Sequence, residues 1–509
     1  MSLAAGGNRD DALGGATTGG VINPRRLFVS SCFALVATAF SFAVVGDIMN
    51  PLKERFILTN QQVGHIGGAP IWGFTLSIFV FGPLCDALGM RLLLRLAFLG
   101  HLIAVPCMAL ASGFWVLFFS ALAIGIANGL VEAAGNPLVA TVYSDRKTEK
   151  MNQFHVWFPG GIVIGGLASY AMDQLEWGSW QPHVWQLKLS LILVPTLIYG
   201  ALFLGQKFPA TERVQSGISF AGMFKATFLR PLFLLLLVCM TMTASLELGP
   251  NRWMPAVLSA AGFSGILILV WITGLMAVMR QFAGQFIHRL SPTGMLLIAV
   301  IVSGIGLGWL SCAETTAIVF ISSTVFALGV SVIWPTMLGF TAEQVPKGGA
   351  LALALMAGTG ALAAGLLTSP QMGRIGDRIG HQRLDREKTT LVLQKVIDTF
   401  PTLARESKGE TGKDIDTAVA AARAVLDEAR AANGTLPPVK TANALRSALQ
   451  VGGRSAVKPE IEALLGPADN FGGRMSFRYV TVLSVVLTVV FGILHLWHRS
   501  VRRRERTIA

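Results

Sequence analysis

The chain has 509 residues, of which 53% are hydrophobic and only 14% charged, with a formal net charge of +13. A soluble globular protein carries about 25% charged residues, so a soluble fold is excluded for most of the length. The basic residues gather at the ends of apolar runs and in one late polar stretch, which points to membrane orientation and away from nucleic acid.

Residues 1–26 form a Gly- and Ala-containing flexible tail that ends on Arg25 and Arg26, and the apolar run that follows is too long for a cleavable signal. Twelve apolar runs then fall near 28–49, 64–85, 92–111, 114–140, 154–173, 187–205, 230–248, 262–287, 294–312, 316–341, 350–371 and 478–498. Each approaches the roughly 20 residues that a helix needs to cross a bilayer. None alternates polar and apolar residues, which excludes a β-barrel. The expected fold is therefore an all-α polytopic membrane protein of twelve transmembrane helices in two pseudo-symmetric six-helix halves.

The expected organisation is a half over 27–205, a cytoplasmic linker over 206–229, spans seven to eleven over 230–372, a soluble helical insertion over 373–476, the twelfth span over 477–498 and a basic tail over 499–509. Lysines and arginines such as Arg91, Arg95, Arg146, Lys147, Lys207 and Arg289 place both termini in the cytoplasm by the positive-inside rule. The insertion then lies outside, and the expected location is the inner (plasma) membrane. The insertion mixes charges, contains an Ala-rich stretch from Asp414 to Ala432 and carries turn signals at Asn433-Gly434 and Pro437-Pro438, which reads as several short amphipathic helices.

An ionisable residue within a span is costly unless paired, protonated or facing water, and is a functional candidate by default. Glu132 lies in the middle of the fourth run. Asn128, Glu132 and Asn136 are spaced by four and share a helix face. A carboxyl held there can bind and release a proton. Asp47 closes the first run, and Glu247 precedes Gly249-Pro250, where a helix break is expected as in discontinuous transporter helices. Arg280, near the inner end of the eighth span, is expected to snorkel or to pair with Glu343 at the end of the tenth. His155 opens the fifth span and can relay protons near neutral pH. Trp72, Trp157, Trp271 and Trp334 lie within spans, where indoles can stack on a sugar ring. The five cysteines have no metal-ligand spacing and read as packing residues; no metal and no cofactor is expected.

Gly82, Asp86, Gly89 and Arg91 between the second and third runs resemble the signature loop of the major facilitator superfamily, and Gly284 to Arg289 is a weaker echo some 200 residues later. The resemblance implies a gate in which Asp86, Gly89 and Arg91 take part, and Arg280 and Glu343 are grouped with it. Two stretches are similar to the fucose permease branch of sugar–proton symporters. One runs from Asp47 through Pro51, Phe56, Leu58, Asn60 and Gln62 to Gly64. The other is Glu132-Ala-Ala-Gly-Asn136-Pro137, with Asn152 beyond it. That similarity implies sugar binding and proton coupling at Asp47 and Glu132.

The resulting expectation is a monomeric secondary transporter, not an enzyme, working by proton-coupled symport of a monosaccharide or similar polar solute through alternating access, with sodium in place of the proton as the alternative coupling ion. Its substrate residues are Asp47, Asn128, Glu132, Asn136, His155, Trp72, Trp157, Glu247, Trp271 and Trp334. A non-transporting sensor built on the insertion and an exporter of nucleoside-like or amphipathic compounds remain open alternatives at this point.

Overall fold

A computed structural model describes residues 22–56, 58, 60–260, 265–406, 410–451 and 455–508. Most of the expected N-terminal tail, residues 1–21, lies outside them. Among the described residues every regular element is helical.

The first bundle comprises α1 (Pro24–Asp47), α2 (Asn60–Leu88), α3 (Met90–Ala109), α4 (Phe114–Val142), α5 (Lys147–His155), α6 (Trp157–Asp173), α7 (Val184–Ser190) and α8 (Leu193–Phe203). Local chemistry sets its start: Asn23 Oδ1 accepts from the Arg26 amide at 2.9 Å, and Pro24 occupies the first helical turn, where its missing N–H costs nothing. The second bundle comprises α9 (Pro231–Ala260), α10 (Gly265–Leu310), α11 (Thr316–Val330), α12 (Ile333–Gln344), α13 (Gly349–Leu362) and α14 (Ser369–Gly380), with a π-helical segment, Ala363–Thr368, between the last two.

Ten helical stretches among the described residues are long and apolar enough to cross a membrane. At about 1.5 Å per residue α10 is too long to lie straight within one bilayer. It turns at Ser291, whose φ is 64°, directly before Pro292. With the arms of α10 counted separately, and α5 with α6, α7 with α8 and α11 with α12 each taken as one segment, the expected runs coincide with helical segments over the described residues, 262–264 lying outside them, although α6 alone has only 17 residues. The outer surface carries a belt of exposed apolar side chains, among them Leu76, Ile103, Phe119, Leu167, Val485 and Ile493. Such a surface would aggregate in water and suits lipid.

Within the first bundle α4 is central, packed against α1, α2 and α3; within the second, α10 packs on α11 and on the last helix, and α9 on α13. The bundles meet where α2 packs on α13, α5 on α12, and α5 and α6 on α10.

Two expectations need correction. The helix does not break at Gly249-Pro250: α9 runs through from Pro231 to Ala260. The irregular backbone is instead the π segment of the eleventh span, which packs against α9. There Thr368 Oγ1 donates to Ser245 Oγ at 2.6 Å, and Gly249 leaves room for the Thr368 methyl. A proline in a helix costs one backbone hydrogen bond, which neighbouring helices can absorb at membrane depth. The insertion is also less separate than a boundary at 373 and 476 implies. It contains α15 (Arg386–Glu406), α16 (Glu410–Ala431) and α17 (Pro438–Val451), longer helices than expected. α14 enters it without a loop from the eleventh span, and α18 (Lys458–Ile508) is one 51-residue helix from the insertion through the twelfth. The insertion has its own core, in which Leu393, Phe400, Leu445 and Ile461 are fully buried. Each such side chain contributes about 1.5–3 kcal/mol.

Candidate functional site

Where the bundles meet, a cavity of about 210 Å³ is lined by Glu132 and Phe74 of the first bundle, and by Glu247, Arg280 and Trp334 of the second, with Phe42, Ile71, His155, Phe158, Leu248, Ala361 and Gly365 completing it. Most of its wall is apolar, and the polar contribution comes from Glu132, Glu247, Arg280 and His155.

Arg280 organises the site. It is 3% exposed, and each arm of its guanidinium finds an acceptor: Nη2 donates to Glu247 Oε1 at 3.0 Å, Nε to the Ser331 carbonyl at 2.6 Å and Nη1 to the His155 carbonyl at 3.0 Å. Both carbonyls are available for a reason written in the sequence. A helical carbonyl is normally taken by the amide four residues later. Four residues after His155 stands Pro159, and four after Ser331 stands Pro335, neither of which has an amide hydrogen. Two prolines therefore expose two acceptors, one in each bundle, and one arginine ties them together. The expected pairing of Arg280 with Glu343 does not occur. Glu343 Oε1 accepts instead from Thr148 Oγ1 at 2.5 Å and from the Thr148 amide at 3.2 Å. Arg280 is turned inward, towards α9, and does not snorkel.

Glu132 is 5% exposed and stands on the wall of the same cavity as Arg280. Its Oε2 accepts from Asn136 Nδ2 at 2.6 Å, and Asn136 Oδ1 meets His155 Nε2 at 3.0 Å. Because an amide oxygen only accepts, Nε2 carries the hydrogen. Glu132, Asn136 and His155 thus form one chain from the cavity to α5. One guanidinium and two carboxyl groups line this cavity, and buried charges are tolerated when compensated. The group is neutral when it holds one proton.

Other predicted residues lie elsewhere. Asn128 is fully buried within the first bundle, accepting from His101 Nε2 at 2.8 Å and donating to Ser41 Oγ at 2.7 Å, while His101 Nδ1 meets the Tyr199 hydroxyl at 3.1 Å. Asp47 sits at the end of α1, where Lys188 lies 2.6 Å and Ser169 Oγ 2.8 Å from its Oδ2; Lys188 also pairs with Asp173 at 2.7 Å. Trp334 lines the cavity, but Trp72, Trp157 and Trp271 do not and are half-exposed. Trp271 Nε1 donates to Thr324 Oγ1 at 2.8 Å.

At the signature loop, Asp86 Oδ2 pairs with Arg213 Nε at 2.7 Å. The same oxygen lies against the start of α13, where a Cβ on Gly349, whose φ is +54°, would come within 2.8 Å of it. Asp86 thereby touches the first turn of a helix in the other bundle, where an anion is favoured. Gly89 has φ +83°, and Arg91 is exposed with no ion pair among the described residues. Further links between bundles at this end of the cavity are Asn152 Nδ2 to Thr336 Oγ1 at 3.1 Å, Lys147 Nζ to the Ala342 carbonyl at 3.3 Å, and His288 Nε2 to Glu149 Oε2 at 3.3 Å. Sequence reasoning missed Lys188, Arg213, Phe42, Phe74 and the two prolines. The prolines were detectable, since each stands four residues after a carbonyl at membrane depth.

A sequence model of the family described as the Major Facilitator Superfamily matches residues 27–367. NiaP of Bacillus subtilis (strain 168), provisionally named a niacin/nicotinamide transporter, is 21% identical over 376 residues, 70% of this chain and 87% of that protein. The E. coli proton:xylose symporter XylE has a similar structure, with a TM-score of 0.59 at 13% identity over 69% of this chain and 89% of its own. The E. coli fucose:proton symporter FucP has a TM-score of 0.56 at 16% identity over 69% of this chain and 92% of its own. At these identities the two structures show a shared fold.

Proposed function

This chain belongs to the Major Facilitator Superfamily, and from that premise we propose that it is a secondary transporter importing a small polar solute, a monosaccharide in the first instance, in symport with a proton. One observation carries the reading: a cavity between the bundles lined by two buried carboxyl groups, Glu132 and Glu247, and by a single guanidinium that is paired with Glu247 alone. Its volume of about 210 Å³ is below the roughly 300–1,000 Å³ of drug-sized sites, which suits a single small ring. Trp334, Phe42, Phe74 and Phe158 supply faces for ring stacking. Glu132 is the coupling carboxyl. Arg280 neutralises Glu247, so a second charge in the same apolar cavity is best carried as a proton on Glu132 or relieved by a solute's hydroxyl groups.

Alternating access is rocking of one bundle against the other. Arg280 is the hinge contact because its three acceptors belong to both bundles. Asp86, Arg213 and Gly349 close the far end of the cavity, which is cytoplasmic if lysine and arginine set the orientation. The membrane is then the plasma membrane, with the insertion outside.

The Arg280 guanidinium also favours a second reading, in which a carboxylate solute of the niacin kind competes with Glu247 for it. Proteoliposome uptake of xylose, fucose and nicotinate separates the two. For the solute carried, Glu132→Gln loses pH-driven accumulation and keeps counterflow. Equal accumulation by variant and parent would remove Glu132 from the coupling step.

A further inference from the structure

The insertion contains a second cavity, of about 700 Å³, between α15 and the first turns of α18. Its wall holds four cations, Arg383, Lys388, Lys395 and Arg474, and two carboxylates, Asp385 and Glu460, which leaves two positive charges over. Glu460 is consumed by Lys395, whose Nζ lies 2.7 and 2.8 Å from its two oxygens. Asp385 lies 3.8 Å from Lys388 and accepts the Lys388 amide at 3.1 Å. The two arginines are different. Among the described residues neither has a carboxylate partner. Arg383 stacks on Phe471, its Cζ 3.5 Å from the ring centroid. Arg474 donates Nη1 to the Ala313 carbonyl at 3.0 Å, while its Nε and the neighbouring Asn470 Oδ1 are buried without a hydrogen-bond partner.

With Lys395 and Lys388 matched by the two carboxylates, the two arginines leave the wall two positive charges in excess, which suits an anionic occupant. Guanidinium groups bind phosphate in a forked, charge-assisted geometry. Between them lies apolar surface from Phe471, Leu391, Leu464 and Pro467. The position is also informative. Arg474 stands three residues before Phe477, where the apolar run of the last span begins, and it holds the turn between α10 and α11 through Ala313. The cavity therefore sits where the insertion meets the membrane-spanning body.

We propose that this cavity is a binding site for a phosphate ester flanked by hydrocarbon, held by Arg383 and Arg474. Two sources share that chemistry, an acidic phospholipid headgroup and a soluble phosphate ester. Because α18 runs unbroken from this wall through the last span, an occupant would bear directly on the transport body.

The test uses the full chain. One arm compares unfolding midpoints in nanodiscs of phosphatidylcholine alone and with phosphatidylglycerol. The other titrates detergent-purified protein with glycerol 3-phosphate and inorganic phosphate by intrinsic fluorescence. A midpoint raised by phosphatidylglycerol assigns a lipid headgroup; saturable binding of glycerol 3-phosphate assigns a soluble ester. In either arm Arg383→Gln weakens the effect by at least about tenfold, as expected for one charge-assisted contact, and Arg383→Gln with Arg474→Gln abolishes it. Arg383→Gln leaves the Arg474–Ala313 contact in place and so serves if the double variant fails to fold. Lys440→Ala, on the insertion surface away from this cavity, keeps the effect. No response in either arm, or one that survives Arg383→Gln and falls with Lys440→Ala, would overturn the proposal.

Discussion

Asn128 and Glu132 stand one turn apart on α4, and their surroundings differ completely. The Asn128 amide is satisfied at both ends by His101 and Ser41, inside one bundle and away from the cavity. Glu132 has one oxygen on Asn136 and its side chain on the wall of a cavity that both bundles line. The first arrangement fixes helices to each other; the second leaves a carboxyl room to change its protonation. Sharing a helix face does not decide function. What the neighbouring helices place opposite that face decides it, and for these two residues the neighbours are different.

The largest expected effect is at the charge cluster. Arg280→Gln leaves Glu247 buried without its cation, for a loss of about 3–5 kcal/mol and of counterflow. Adding Glu247→Gln should restore part of the stability. Chemical denaturation of the purified protein reads both, and an unchanged midpoint for Arg280→Gln would break the comparison at its centre. Next comes Asn128→Ala, which strands His101 and Ser41 and costs about 1–3 kcal/mol while leaving the KM for solute near the parent value. Asn136→Ala should instead alter the pH dependence of uptake, because it cuts the link from Glu132 to His155; identical pH profiles for these two variants would show that the networks are not distinct. Asp47→Asn should cost under about 1 kcal/mol, since the carboxylate is partly exposed and Lys188 keeps Asp173. Loss of proton-driven uptake in that variant would return Asp47 to the coupling path. The smallest contrast is between indoles: Trp334→Phe raises KM, and Trp72→Phe does not.

Much of the fold was readable because bilayer thickness imposes a length on apolar helices, and over the described residues the expected runs coincide with helical segments. The ends of the insertion were not readable, because α14 and α18 continue through them and a change from apolar to amphipathic sequence does not require a break. At the site, Glu132, Asn136, His155, Glu247, Arg280 and Trp334 were recognisable as polar or aromatic residues at membrane depth. Their partners were not. Whether Arg280 meets Glu343 or Glu247 depends on the rotation of α10 about its axis, which spacing along one chain does not fix. The rotations of α2, α6 and α10 likewise leave Trp72, Trp157 and Trp271 off the cavity wall. Asp47 illustrates a different limit: its motif implies a place in the site, while Lys188, within an apolar run on another helix, holds it at the end of α1.

The most direct test of the account is the pH of a weakly buffered medium outside proteoliposomes when the transported solute is added without a pre-imposed gradient. Symport through Glu132 predicts alkalinisation that follows solute entry in the parent and is absent in Glu132→Gln. Solute entry in the parent with no accompanying proton movement would contradict it.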